Sequence, residues 1–196
     1  MDDNKKNQEI ELPSAEPPAS KSSSTVKIVC LSCFVIILLI FAVMTAVLFP
    51  VFNRARGAAR GTSCLSNTKQ IATGFMMYMA EWDDRMPMGN DWQTAIEPYI
   101  KSTSIWNCSS AKTMDPCYAF NSKLVKVNAT NIDAPYDTVM IFESIPGMNQ
   151  CGGKELLPSP PRHEQGHSIA FVDGHARGVK PQEIDSLIWN VKLIAR

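Results

Sequence analysis

No charged residue lies between Ile28 and Asn53 in this chain of 196 residues. A solvated surface helix of that length is therefore excluded. Net charge is also missing, with 19 basic and 19 acidic side chains. A binder working by bulk attraction to phosphate needs a positive excess, so no nucleic-acid partner is expected. Outside the apolar run no C-x-x-C pair occurs, which argues against a cysteine zinc site. Paired carboxylates, a nucleophile elbow and a phosphate loop are likewise missing. The chain does not read as an enzyme, and neither cofactor nor metal is expected.

What is present is sharply segregated. Residues 1–25 hold Asp2, Asp3, Lys5, Lys6, Glu9, Glu11, Glu16 and Lys21, a run of serines and few large apolar side chains. Such a stretch buries too little surface to offset its chain entropy and reads as a disordered polar tail. Residues 26–50 follow as a transmembrane helix, since about 20 apolar residues span a bilayer. The apolar run is too long for the core of a cleavable signal peptide, and Phe49-Pro50-Val51-Phe52-Asn53-Arg54 follows where a small-residue cleavage site should stand. Cys30 and Cys33 inside it read as small apolar residues.

Helical periodicity continues over residues 51–82. Cys64, Thr68, Ile71, Phe75, Met79 and Trp82 recur every three or four positions and draw one stripe on a helix. Pro50 can kink that helix without ending it. The pattern predicts an amphipathic stem that prolongs the anchor and enters the core of a small head, residues 83–196.

Within the head, Asp91 is placed to cap a short helix over Trp92 to Ile100. Residues 109–131 and 147–161 read as loops, and Asp137–Ser144 as a strand. Ser168–Val172 is a second strand, Asp173-Gly174 its hairpin turn, and Ala176–Val179 the return. Pro181 opens a final helix through Val191. The fold class is α+β with a small antiparallel sheet. Cys64, Cys108, Cys117 and Cys151 suit an exported domain with one or two disulfides, and their pairing stays open.

His163-Glu164-Gln165-Gly166-His167 satisfies the H-E-x-x-H pattern of zinc hydrolases. That chemistry needs a helix to bring both imidazoles to one face. Prolines 158, 160 and 161 stand just upstream, Gly166 lies inside the pattern and a strand follows His167, so no helix fits. The zincin reading is set aside. A looser site from His163, Asp173 and His175 is weighed against polar residues finishing a hairpin, and the hairpin is preferred.

Two stretches resemble a known group. "AVLFPVFNRARGAARGTSCLSNTKQIATGFMMYMAEWDDRMP", Ala46–Pro87, is similar to the stem helix of bacterial type IV pilin-like proteins and type II secretion pseudopilins, and "DWQTAIEPYIKSTSIWNCSS" continues it. His163, nine residues, then Asp173-Gly174 matches the H-x9-DG signature that closes a large pilin-like family, with Arg162, Gly166, Phe171 and His175 in place. The resemblance implies a long N-terminal helix on a small antiparallel sheet, outside the cytoplasmic membrane, with the N-terminus in the cytoplasm. It also implies no catalysis at the motif. Expected partners are membrane lipid and other pilin-like subunits or secretion machinery.

The sequence departs from that family at the processing site. Ile28 stands where the cleaved glycine is expected and Cys33 where the registering glutamate is expected; no glycine precedes Gly57. A permanently anchored binding domain that never polymerises is therefore the alternative to a filament or secretion-apparatus subunit. Flanking charge also conflicts with the implied topology, because Arg54, Arg56, Arg60 and Lys69 outnumber Lys21 and Lys27. As part of a stem beside the membrane, the arginines are expected to meet lipid headgroups.

Overall fold

The computed structural model describes residues 23–111 and 113–194. Most of the expected polar tail thus lies outside the described residues, and Ser23–Thr25 already belong to the first helix. That helix, α1 (Ser23–Glu81), contains Pro50 in its interior. It is long and apolar enough to cross a membrane. Contacts divide the chain into two compact units between Phe49 and Pro50.

The character of α1 changes along its length. Every side chain from Thr25 to Arg56 is exposed. From Gly61 onward one face is buried: Cys64, Thr68, Ile71, Ala72, Phe75 and Met79. Trp82 does not extend this stripe as expected. It is 56% exposed, because α1 stops one residue earlier and the ring stacks on Tyr78 at 5.5 Å instead. Asp83 and Asp84 adopt left-handed φ values of 50° and 57°, which turns the chain away.

The second unit holds a five-stranded sheet in the order β3-β1-β2-β4-β5. Its strands are β1 (Tyr118–Asn121), β2 (Val139–Glu143), β3 (Gln150–Gly152), β4 (His167–Phe171) and β5 (Ala176–Val179). All neighbouring pairs are antiparallel except β1–β3. The fold is α+β, as expected. β1 and β3 correct the reading of their segments as loops. Both are short, and their backbone pairing with distant partners supplies the order that local pattern does not.

The two faces of the sheet are covered differently. Ile71, Ala72, Phe75 and Met79 of α1 pack with Tyr118, Phe120, Met140, Ile141 and Ala170. Trp92 and Trp106 complete this core, with ring centroids 5.7 Å apart and Phe75 5.6 Å from Trp92. Ala119, Phe142, Ile169 and Phe171 face the other way, under Ile184, Leu187 and Trp189.

Two helices are shorter than expected. α2 spans only Trp92–Ile96, and a 3-10 turn carries Pro98. Asp91 occupies the cap position without a side-chain bond; the Gln93 N–H donates to Asn149 Oδ1 at 3.0 Å instead. The final helix reduces to a 3-10 segment, Pro181–Ser186. Beyond it Ile188 bridges Thr138, and the Val139 N–H donates to the Ile188 carbonyl at 3.0 Å. Those bonds extend the backbone and remove the groups a helix would need.

Phe75 is fully buried between Trp92 and Phe120. Phe75→Ala should cost about 3–5 kcal/mol of stability, the usual range for deleting a buried aromatic ring. Denaturant unfolding of the detergent-solubilised chain, followed by tryptophan fluorescence, would measure it.

Candidate functional site

The H-x9-DG segment lies against the stem at both of its ends. At the near end, Gln165 covers Gly61: a Cβ there would stand 2.1 Å from Gln165 Oε1. At the far end, Lys69 Nζ donates to the Gly174 carbonyl at 2.5 Å, and Met76 lies beneath Gly174. Strand β4 connects the two ends. The motif is a clasp on the helix.

The turn differs from the expected two-residue form. The Gly174 N–H donates to the Phe171 carbonyl and the Phe171 N–H to that of His175, each at 2.9 Å. Three residues, Val172, Asp173 and Gly174, form the loop, and only Gly174 has positive φ, at 85°. This is the arrangement in which a left-handed glycine follows a type I turn and bulges the hairpin. Asp173 Oδ1 accepts from the His175 N–H at 3.0 Å and lies 2.6 Å from His175 Nδ1. The imidazole is sandwiched by Phe171 and Tyr136, with centroids 4.3 and 4.4 Å away.

His163 belongs to a different environment. Its Nε2 is 3.3 Å from Cys108 Sγ and 3.5 Å from Glu143 Oε1. Arg162 Nη1 donates to the same Glu143 oxygen at 2.8 Å, and its Nη2 to the Ser144 carbonyl. Cys64 Sγ, from the buried face of α1, is 2.9 Å from Cys108 Sγ. His163, Asp173 and His175 therefore do not form one site; His163 has its own partners before β4 and the other two interact beyond it.

Charges in this cluster are set by burial against pairing. Burial opposes ionisation of Glu143, but His163 and Arg162 outweigh it and hold the carboxyl below its ordinary value. Cys108 and Glu143 together raise His163 to about 9. The Cys64 thiol and His163 lower Cys108 to about 5, against the effect of burial. Cys64 is pushed up, chiefly by donating to Cys108. His167 shifts down through burial. The cluster is a compact set of alternating charges enclosed in the head.

Among the described residues, the one group of ligand-type atoms close enough to share an ion is Cys64, Cys108 and His163, all within 4.8 Å. Neither Glu164 nor His167 belongs to it. Glu164 is exposed, whereas His167 is buried in β4. The zincin geometry is not formed. The cysteine pair also suits an ion poorly. Two thiolates on tetrahedral zinc stand roughly 3.8 Å apart for bonds of about 2.3 Å, and Arg162 already neutralises the adjacent carboxylate.

Cys64, Cys108 and Arg162 were prominent in the sequence, but Glu143 was not. Its one signal is a lone carboxylate ending an otherwise apolar strand. The chain matches no known family, no curated protein and no solved structure.

Two tests follow from these contacts. Gly166, with φ of 91°, faces the Val179 carbonyl: an added Cβ would stand 2.0 Å from that oxygen. Gly166→Ala should therefore destabilise the head more than Gly174→Ala, whose left-handed φ alone costs about 1–2 kcal/mol. Glu164→Gln should stay within about 0.5 kcal/mol of the parent, as exposed substitutions do. Thermal unfolding of the full chain in detergent would rank them, and essential zinc lost in His167→Ala would reverse the reading.

The second test uses acid. A carboxylate whose folded pKa is depressed contributes stability above its unfolded pKa and loses it as pH falls through the folded value. The head should weaken below about pH 4.5, and Glu143→Gln should flatten that acid limb while lowering stability at pH 7, where it leaves Arg162 unpaired.

Proposed function

We propose that this chain is a pilin-like, pseudopilin-like structural protein, anchored once in the cytoplasmic membrane with its N-terminus in the cytoplasm and its head outside. The observation that carries this reading is the change along α1. The helix is uncharged and wholly exposed where a bilayer would surround it, then buries one face as a core element of the head. Wholly exposed leucines, isoleucines and phenylalanines need an apolar surrounding, and lipid supplies it. The resemblance of the stem and the H-x9-DG segment to pilin-like proteins supports the same assignment. Their contacts suit a structural role, since the motif clasps the stem and Glu164 remains exposed.

A second reading is favoured by Ile28 and Cys33. Without the glycine for processing and the glutamate for registration, the protein acts as a permanently anchored extracytoplasmic binding domain that does not polymerise. Lipid is then its constant partner, and other pilin-like subunits or secretion machinery are partners of the first reading alone.

Protease added to spheroplasts should degrade the head and spare the N-terminal tail. Protection of the head with loss of the tail would sink the proposed topology. The intact mass of the membrane-extracted protein separates the two readings: a start near Val29 supports an assembling subunit, and retention of Met1 supports the permanent anchor.

A further inference from the structure

Three cysteines meet inside the head: Cys64 of α1 joins Cys108 and Cys117, from the segment before β1, in one buried cluster. They are not equivalent. Cys117 donates its thiol proton to the Asp115 carbonyl at 3.2 Å, and burial keeps that thiol protonated. Cys151 lies away from them, half-buried beside Gly89 and Val125. Cys64 and Cys108 alone bring their sulfurs together, at 2.9 Å. Cys64 is fixed from the helix side, where the Tyr118 hydroxyl donates to its carbonyl at 3.3 Å. Cys108 is fixed from the other side by His163 and Glu143.

We propose that Cys64 and Cys108 are a dedicated disulfide site, closed by thiol–disulfide exchange with an oxidised dithiol carrier and joining the stem helix to the segment before β1. Cys117 and Cys151 remain thiols. The pair deepens the proposed function and rests on it for an oxidising surrounding, since exported domains are where such bonds persist.

The chemistry balances in two displacements. The Cys108 thiolate attacks one sulfur of the carrier disulfide, which breaks and releases a carrier thiolate. Cys64 then gives up its proton and attacks the Cys108 sulfur of the mixed disulfide, expelling the second carrier thiolate. Two electrons pass to the carrier, which ends as a dithiol. Cys108 is suited to attack first because the Cys64 proton and His163 both stabilise its anion. Cys64 and Cys108 are buried in the finished head, so exchange belongs to a nearly folded state in which Cys108 already meets Cys64 and His163 but is still open to the carrier.

The test is peptide mapping of the full chain in detergent, with free thiols alkylated under denaturing conditions. One sample is taken as isolated from membranes; another is reduced, unfolded and refolded in a glutathione redox buffer. Both should yield one linked pair, Gly61–Lys69 joined to the peptide containing Cys108, and an intact mass lighter by two hydrogens. Cys117→Ser should retain the link, which keeps the test decisive if Cys64→Ser fails to fold. A Cys108–Cys117 link, scrambled pairs, alkylation of both thiols after glutathione refolding, or stoichiometric zinc protecting them would overturn the proposal. Free thiols as isolated, with correct pairing in glutathione, would uphold the site and count instead against an extracytoplasmic head.

Discussion

One helix has to complete a core that five short strands cannot close alone. β1 to β5 are three to five residues long, and sheets of that size are stable only when an apolar face is covered. α1 covers one face with Ile71, Ala72, Phe75 and Met79. The aromatic cluster, the clasp and the cysteine site all build on that contact. At about 25 cal/mol for each Å² of apolar surface removed from water, burial of this kind is the main force holding the head together.

The polar cluster beside the core is a different kind of stabiliser. Glu143 is fully buried and Arg162 nearly so. Removing two charges from water costs several kcal/mol per ion unless each finds good partners. Here the carboxylate has Arg162 and His163, and the guanidinium has the Ser144 carbonyl as well. The arrangement therefore favours one specific docking of the motif over general stickiness. Any other seating of the Arg162-His163 segment would leave Glu143 buried without its counter-charges. Cys64 and Cys108, free thiols in this structure and 44 residues apart, would add to this once joined as proposed. Closing a loop of that length would restrain the unfolded chain by about 4 kcal/mol in the chain-entropy account.

Much of the fold was legible because its signals are local. Helical spacing from Cys64 to Met79, the β-branched and aromatic run at β2 and the turn residues after β4 each announce one element. What escaped was decided at a distance. β3 is three residues containing a glycine, ordered by pairing with β1. The segment after Ser186 has the apolar spacing of a helix, yet Ile188 gives its backbone groups to Asp137 and to Val139 at the start of β2. The site was least legible, since Cys64, Cys108, Glu143 and His163 are brought together by α1, a loop, β2 and a turn. Hairpin pattern alone says nothing of the different surroundings of the two histidines: His175 lies on Asp173 in the turn, and His163 lies against buried sulfur and carboxylate.

Strand β2 carries an irregularity where its register with β4 shifts between Val139 and Ile141. Met140 and Ile141 both face α1, whereas Val139 and Phe142 face away. The extra residue acts as a phase change between two halves of the strand. Upstream, Val139 is set by its pairing with Phe171; downstream, Glu143 is set by its pairing with Tyr118. Loss of one residue at Met140 would restore plain alternation and leave both halves facing as before. Loss of Ile141 is equivalent, since Met140 then takes the one position facing α1. Loss of Phe142 with the bulge kept would instead reverse the parity of the strand's end and turn Glu143 away from the cysteines toward apolar packing. Length variation in β2 is thus admissible at the Met140–Ile141 step, and the bulge marks it.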